Sequence, residues 1–96
     1  MAKFNELERS KIYEFAWKKW GTELQATVAI EEMSEVQKEI CKVLRGKGNR
    51  ENLAEEIADA KIMLEQISQI FNIKASVETW VDYKIAGVAK WKGKGL

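Results

Sequence analysis

Two clusters of carboxylates stand out in the chain, Glu31-Glu32-Met33-Ser34-Glu35 and Glu55-Glu56-Ile57-Ala58-Asp59. Each holds two acids three residues apart, Glu32 with Glu35 and Glu56 with Asp59, and each lies in a segment of helical hydrophobic periodicity. On an α-helix, residues three apart share a face with Cβ atoms about 5–6 Å apart. Two such helices packed side by side can therefore gather four carboxylates into one small volume. At an effective dielectric of ~20, two of these charges ~5 Å apart repel by roughly 3 kcal/mol. A cation between them removes the penalty. The chain has no histidine and one cysteine, and all-oxygen ligation suits a hard ion, Mg²⁺ or Mn²⁺, over zinc, copper or iron. Magnesium held by a few carboxylates is normally shared with substrate phosphates, so the metal reading is also a phosphate-chemistry reading.

Spacing alone does not decide the matter. Acidic stripes on helices are commonly solvated faces, and like-charge neighbours there cost only about 0.2–0.5 kcal/mol. Two details favour the metal. Both pairs border apolar stripes, so helix packing turns them toward a cleft, where unpaired carboxylates are costly. The same three-residue step also recurs on successive helices joined by a short turn, which antiparallel packing brings to matching heights.

The elements that must position these acids read as four helices and no strand, an all-α antiparallel bundle. There is no proline, and glycine punctuates the pattern. The first helix spans about 5–19 and stops at Gly21. The second spans about 23–44, capped by Thr22 with Gln25 in the capping-box position. Its apolar set is Ala26, Ala29, Met33, Val36, Ile40, Val43 and Leu44, bordered by Glu32, Glu35 and Glu39. After a basic loop over 45–50, Asn52 is the expected cap of a third helix, with Glu55 completing its capping box. That helix covers about 53–71, with Leu53, Ile57, Ala60, Leu64, Ile67 and Phe71 as its main apolar face. It is apolar over more than half its circumference, which suggests burial against another copy of the chain. Ser76 is the expected cap of a last helix over about 77–90, and 90–96 reads as a frayed basic tail. Residues 1–96 form one domain.

The pattern Glu31-Glu32-x-x-Glu35 followed by Glu56-x-x-Asp59 resembles the signature of the MazG-type all-α nucleoside triphosphate pyrophosphohydrolases. Trp20-Gly21 and Gln25 before the first motif, Arg45-Gly46-Lys47 in the loop and Asn52-Leu53 at the second agree with it. The similarity runs from about Trp20 to Phe71. What it implies is Mg²⁺-dependent hydrolysis of a (d)NTP to the monophosphate and pyrophosphate, a pool-cleaning activity. Glu32, Glu35, Glu56 and Asp59 would be the metal ligands, and Glu31 would orient or deprotonate the attacking water. The family often carries a Lys and an Arg one turn apart on the last helix to hold the phosphates. Lys84 supplies the first, but Val88 stands where the arginine is expected. Arg45, Lys47, Arg50 or Lys61 are the candidate substitutes. The family forms dimers or tetramers, so a homo-oligomer is expected.

Bulk properties set the remaining bounds. A chain of 96 residues makes one small core. A net charge of +1 advertises neither a nucleic-acid nor a membrane partner. The absence of a long apolar run or a signal-peptide pattern, with a lone Cys41, leads to the expectation of a cytoplasmic protein. Lacking histidine, the chain cannot build His-based general-base arrangements or the Glu-x-x-His ligands of di-iron bundles. Cys41 reads as a small core residue. The tryptophans read mainly as core, Trp20 being the best placed to stack a base. The rival to an enzyme is a non-catalytic helical interaction module that keeps the fold and recognises a partner through the third helix.

Overall fold

A computed structural model describes residues 3–93. It contains four helices, α1 (Glu6–Trp20), α2 (Thr22–Leu44), α3 (Arg50–Ile70) and α4 (Lys74–Gly93), and no strand among the described residues. The all-α, four-helix architecture expected from the periodicity is present.

Local chemistry sets the helix ends. Asn5 closes the start of α1 in a capping box: its Oδ1 accepts from the Glu8 N–H at 2.8 Å, and the Glu8 carboxylate accepts from the Asn5 N–H at 3.0 Å. Gly21 belongs to two helices at once. Its N–H donates to Trp17 O while its carbonyl accepts from Gln25 N–H. That leaves no place for the expected Thr22 cap, and Thr22 is already helical. Nor does Asn52 cap α3. Asn49 does so three residues earlier, its Oδ1 accepting from the N–H groups of Glu51 and Asn52, because extended backbone at Asn49 aims its side chain along the new axis.

α2 and α3 end alike. Lys47 N–H reaches Lys42 O and Gly46 N–H reaches Val43 O; Ile73 N–H reaches Ser68 O and Asn72 N–H reaches Gln69 O. These are the paired bonds of the Schellman motif, with Gly46 (φ 74°) and Asn72 (φ 55°) at its left-handed position. Gly48 is needed for space, since a Cβ there would lie 2.6 Å from Val43 Cγ2 and from its backbone N. The second motif launches α4 at once, with Val77 N–H bonding Ile73 O. Ser76 therefore sits inside α4 and is not its cap. Of the expected frayed tail, 90–93 are helical and 94–96 lie outside the described residues.

The most extensive packing joins α2 to α3, and α3 also touches α1 and α4. Its broad apolar circumference is thus used in part within the chain. The facing residues of α2 are Gln25, Ala29, Glu32, Val36, Glu39 and Val43; those of α3 are Leu53, Glu56, Ala60, Met63 and Ile67, all buried or half-buried. Steps of three and four give each set one helical face. Ala29, Val36, Val43, Leu53, Ala60 and Ile67 of the expected apolar faces lie in this seam, whereas Met33, Ile40, Leu44, Ile57 and Leu64 lie one residue outside it. Ala29 is 1% exposed while Ile40 and Leu44 are 43% and 81% exposed. Small residues at the seam let the two helices approach closely, and the bulkier stripe turns outward.

α1 crosses the outer side of α3 and is tied there by hydrogen bonds. Trp17 Nε1 donates to Gln69 Oε1 at 2.6 Å, and Gln69 Nε2 donates to the Ser10 carbonyl and hydroxyl at 2.9 and 2.8 Å. Tyr13 donates to the Glu65 carboxylate at 2.5 Å. Burial and the Glu65 charge push the Tyr13 phenol up to about 12. α4 joins at its first turns through the Lys74–Glu6 ion pair. Every described residue of α4 is exposed.

Candidate metal centre

Glu32 comes from α2, and Glu56 and Asp59 from α3. The hairpin register brings them together, each offering one carboxylate oxygen within 4.8 Å of the others. Oxygens in one octahedral magnesium shell stand about 3–4 Å apart, given 2.0–2.1 Å bonds, so closure on an ion asks for shifts of about 1 Å or less. Glu32 and Glu56 are seam residues, half-buried between the helices. Glu31, Glu35 and Glu55 beside them are exposed.

The electrostatics have one sign. Burial raises the Glu32 carboxyl first, and the charges of Asp59, Glu35 and Glu31 raise it further; Glu32 also shares a side-chain hydrogen bond with Asp59. Burial likewise leads for Glu56, followed by Glu32, Asp59, Glu35 and Glu55. Every charge acting on these two groups is another carboxylate. Carboxylates brought together in this way favour protonation or a cation.

Of the expected ligand set, Glu32, Glu56 and Asp59 converge, and Glu35 stands close enough to act on both glutamates. Glu31 is exposed on the next position of α2, and its carbonyl accepts from the Ser34 hydroxyl at 2.7 Å. Glu39, which the sequence sets on the same acidic border, lies apart from the cluster. It is buried in the seam and paired with Lys42 at 3.3 Å.

The candidate phosphate and base contacts are dispersed. Lys84 rests over the Trp80 ring on α4, 5.8 Å from its centroid. Lys61 lines a groove between α1 and α3 with Arg9, Tyr13 and Glu65. Arg45 and Lys47 are exposed at the α2–α3 turn. Gln25 is buried in the α2–α3 seam. Trp20 is exposed at the end of α1, edge-on to Phe15 with Lys19 above both rings. Cys41 is exposed, contrary to its expected place in the core, because it lies on the outward side of α2 between the seam positions Glu39 and Val43.

The residues that tie α1 to α3 escaped the sequence reading. Ser10, Tyr13 and Trp17 recur at three- and four-residue steps, as do Glu65 and Gln69, but only the crossing of the two helices makes them partners. No helix among the described residues is long and apolar enough to cross a membrane. Comparison with family models, with curated proteins and with solved structures finds no match to this chain.

Proposed function

We propose that this chain is a divalent-metal-dependent nucleotide pyrophosphohydrolase, converting a (d)NTP to the monophosphate and pyrophosphate. One observation carries the reading: Glu32, Glu56 and Asp59 present oxygens to a common point from two helices, and the charges acting there are all carboxylates. The donor set fits a hard cation, Mg²⁺ or Mn²⁺. Glu32, Glu56 and Asp59 would hold it, with Glu35 as the fourth carboxylate in reach. When bound, such an ion offsets phosphate charge and lowers the pKa of water in its shell.

The chain's own residues then have separable tasks. The seam fixes Glu32 and Glu56 on rigid helices, so the ligand oxygens need little reorganisation when the ion arrives. Burial and mutual repulsion raise their affinity for any positive charge, and the same repulsion excludes a polyphosphate unless cations accompany it. Glu31, exposed beside Glu32, would accept a proton from an attacking water. The motif resemblance supports the substrate class, a nucleoside triphosphate; of the Lys and Arg pair it implies on the last helix, the chain keeps Lys84 and has Val88 at the arginine position.

The decisive assay is pyrophosphate release from the four dNTPs and four NTPs with and without Mg²⁺. Activity with at least one nucleotide is expected, dependent on the metal and lost in Glu56→Gln and Asp59→Asn. Equal rates in those variants and the parent overturn the reading. A second reading, a non-catalytic interaction module, is favoured by one observation, the full exposure of α4 with its aromatic side chains. Mg²⁺ separates the two. It raises the melting temperature if the carboxylates bind it, since a ligand of the native state alone stabilises by mass action, and leaves it unmoved otherwise.

A further inference from the structure

Two grooves follow the line where α1 crosses α3. The first, of 700 Å³, runs toward α4, and the second, of 570 Å³, runs toward the start of α3. Both have the size of small-molecule sites. They share Phe4, Arg9, Tyr13 and Glu65, so the Tyr13–Glu65 hydrogen bond stands at their junction. The second groove is walled by hydrocarbon: Ile12 of α1, Ile57 and Ile62 of α3, and Phe4. Ala54 and Ala58, one turn apart on α3, leave the room between them.

Arg9 and Lys61 also line the second groove, and neither has an ion pair among the described residues. The acids that helical spacing would give them are engaged elsewhere. Glu65 lies four residues after Lys61, the spacing of a helical ion pair, but its carboxylate accepts from Tyr13. Glu6 lies three residues before Arg9, but it pairs with Lys74 in the first turn of α4. Two cations against the one carboxylate of Glu65 leave the lining net positive. The first groove has the opposite sign, with Glu6, Glu65 and Glu78 against Arg9 and Lys74. Apart from its charged groups and the engaged Tyr13, the second groove offers no polar side chain. It therefore gives a sugar or a base nothing to read, and suits an anion with a hydrocarbon body.

We propose that the second groove binds a free acyl carboxylate of medium length. The chain lies against Ile12, Ile57 and Ile62, and the head group is held by Arg9 and Lys61. At 100° per residue, Lys61 sits about 160° round α3 from Asp59, away from the carboxylate cluster. The site thus stands whether or not a metal binds at Glu32, Glu56 and Asp59.

The test is isothermal titration calorimetry of the metal-free full chain with decanoate below its micellar range. Decyltrimethylammonium (the same chain with the opposite charge) and acetate (the same head group without the chain) are the comparisons. Decanoate is expected to saturate one site per chain, and the other two to give no binding. Arg9→Gln and Lys61→Gln are each expected to weaken decanoate about tenfold, the worth of one charge-assisted hydrogen bond. Both side chains are exposed, so the helical circular dichroism signal should not change. Added salt is expected to weaken decanoate binding to the parent, which needs no substitution. Uptake without saturation, equal binding of decyltrimethylammonium or acetate, or parent-like affinity in both variants overturns the proposal. So does an affinity that falls as protein concentration rises, which would put a second copy of the chain on the groove.

Discussion

The two flanks of the α2–α3 hairpin are built from the same two helices and could hardly differ more. One residue back from the seam lie Glu31 and Glu35 on α2 and Glu55 and Asp59 on α3; one residue forward lie Ile30, Met33, Ile40, Leu44, Ile57 and Leu64. A rotation of about 100° per residue separates an acidic edge from an apolar one. The close-packed seam lies between them, with Ala29 and Ala60 at its centre. The acidic flank is electrostatically frustrated in the isolated chain, and the apolar flank is unfavourably hydrated. The two defects are of different kinds, one of charge and one of hydration. The difference teaches that small residues at the seam leave both flanks free for other purposes.

The largest effects should separate the flanks cleanly. Neutralising Glu56 or Asp59 is expected to cut metal-dependent pyrophosphate release at least ~100-fold, with the helical circular dichroism signal unchanged. Parent-like release in Glu56→Gln would show that the acidic flank is not the site.

Stability changes come next. Gln66 is 5% exposed and its Oε1 has no hydrogen-bond partner. Gln66→Met keeps the volume and removes the unsatisfied oxygen, so urea denaturation should show a gain of about 1 kcal/mol. Tyr13→Phe breaks the bond to Glu65, outside both flanks, and should lose about 1 kcal/mol at neutral pH. Because the folded phenol titrates near 12 against an ordinary 10.0, the folded state holds its proton longer than the unfolded one. The parent's advantage is complete below pH 10 and disappears as pH rises toward 12. Tyr13→Phe should lack that alkaline loss.

The smallest effect is the sharpest probe of the acidic flank. Without metal, Glu32→Gln relieves a like-charge contact of about 0.2–0.5 kcal/mol, which raises the melting temperature by about 1–4 °C. With saturating Mg²⁺ the order should reverse, the parent gaining and the variant not. The pH dependence carries the same sign. Glu32 and Glu56 titrate above the usual 4.5, so they stabilise the metal-free fold below that value and lose this contribution as pH climbs through their raised pKa values. Added Mg²⁺ should flatten or invert that slope, since it needs the ionised form.

Helix existence was legible from local chemistry, and so was the stop at Gly21. The caps at Asn49 and Gly21 were not, because Asn52 and Thr22 offer equally good side chains and only backbone conformation chooses. The phase of the α2–α3 contact was also hidden. The reading put Ala29, Val36 and Val43 in one stripe with Met33, Ile40 and Leu44, whereas only the first three face α3 and the last three are exposed. Two adjacent stripes can each face a neighbour, and a sequence does not say which neighbour belongs to the same chain.

By itself, then, the order of residues determined the four helices and the three-residue pairing of carboxylates, since both follow from the 3.6-residue turn within a single segment. Only the tertiary structure decided that Glu32 meets Glu56 and Asp59, that Glu39 instead pairs with Lys42, and that α4 touches α3 but not α2. Those outcomes depend on the register set by the tight turn at Gly48 and on the direction imposed at Asn72. Both join segments far apart in the chain, where no local period reaches.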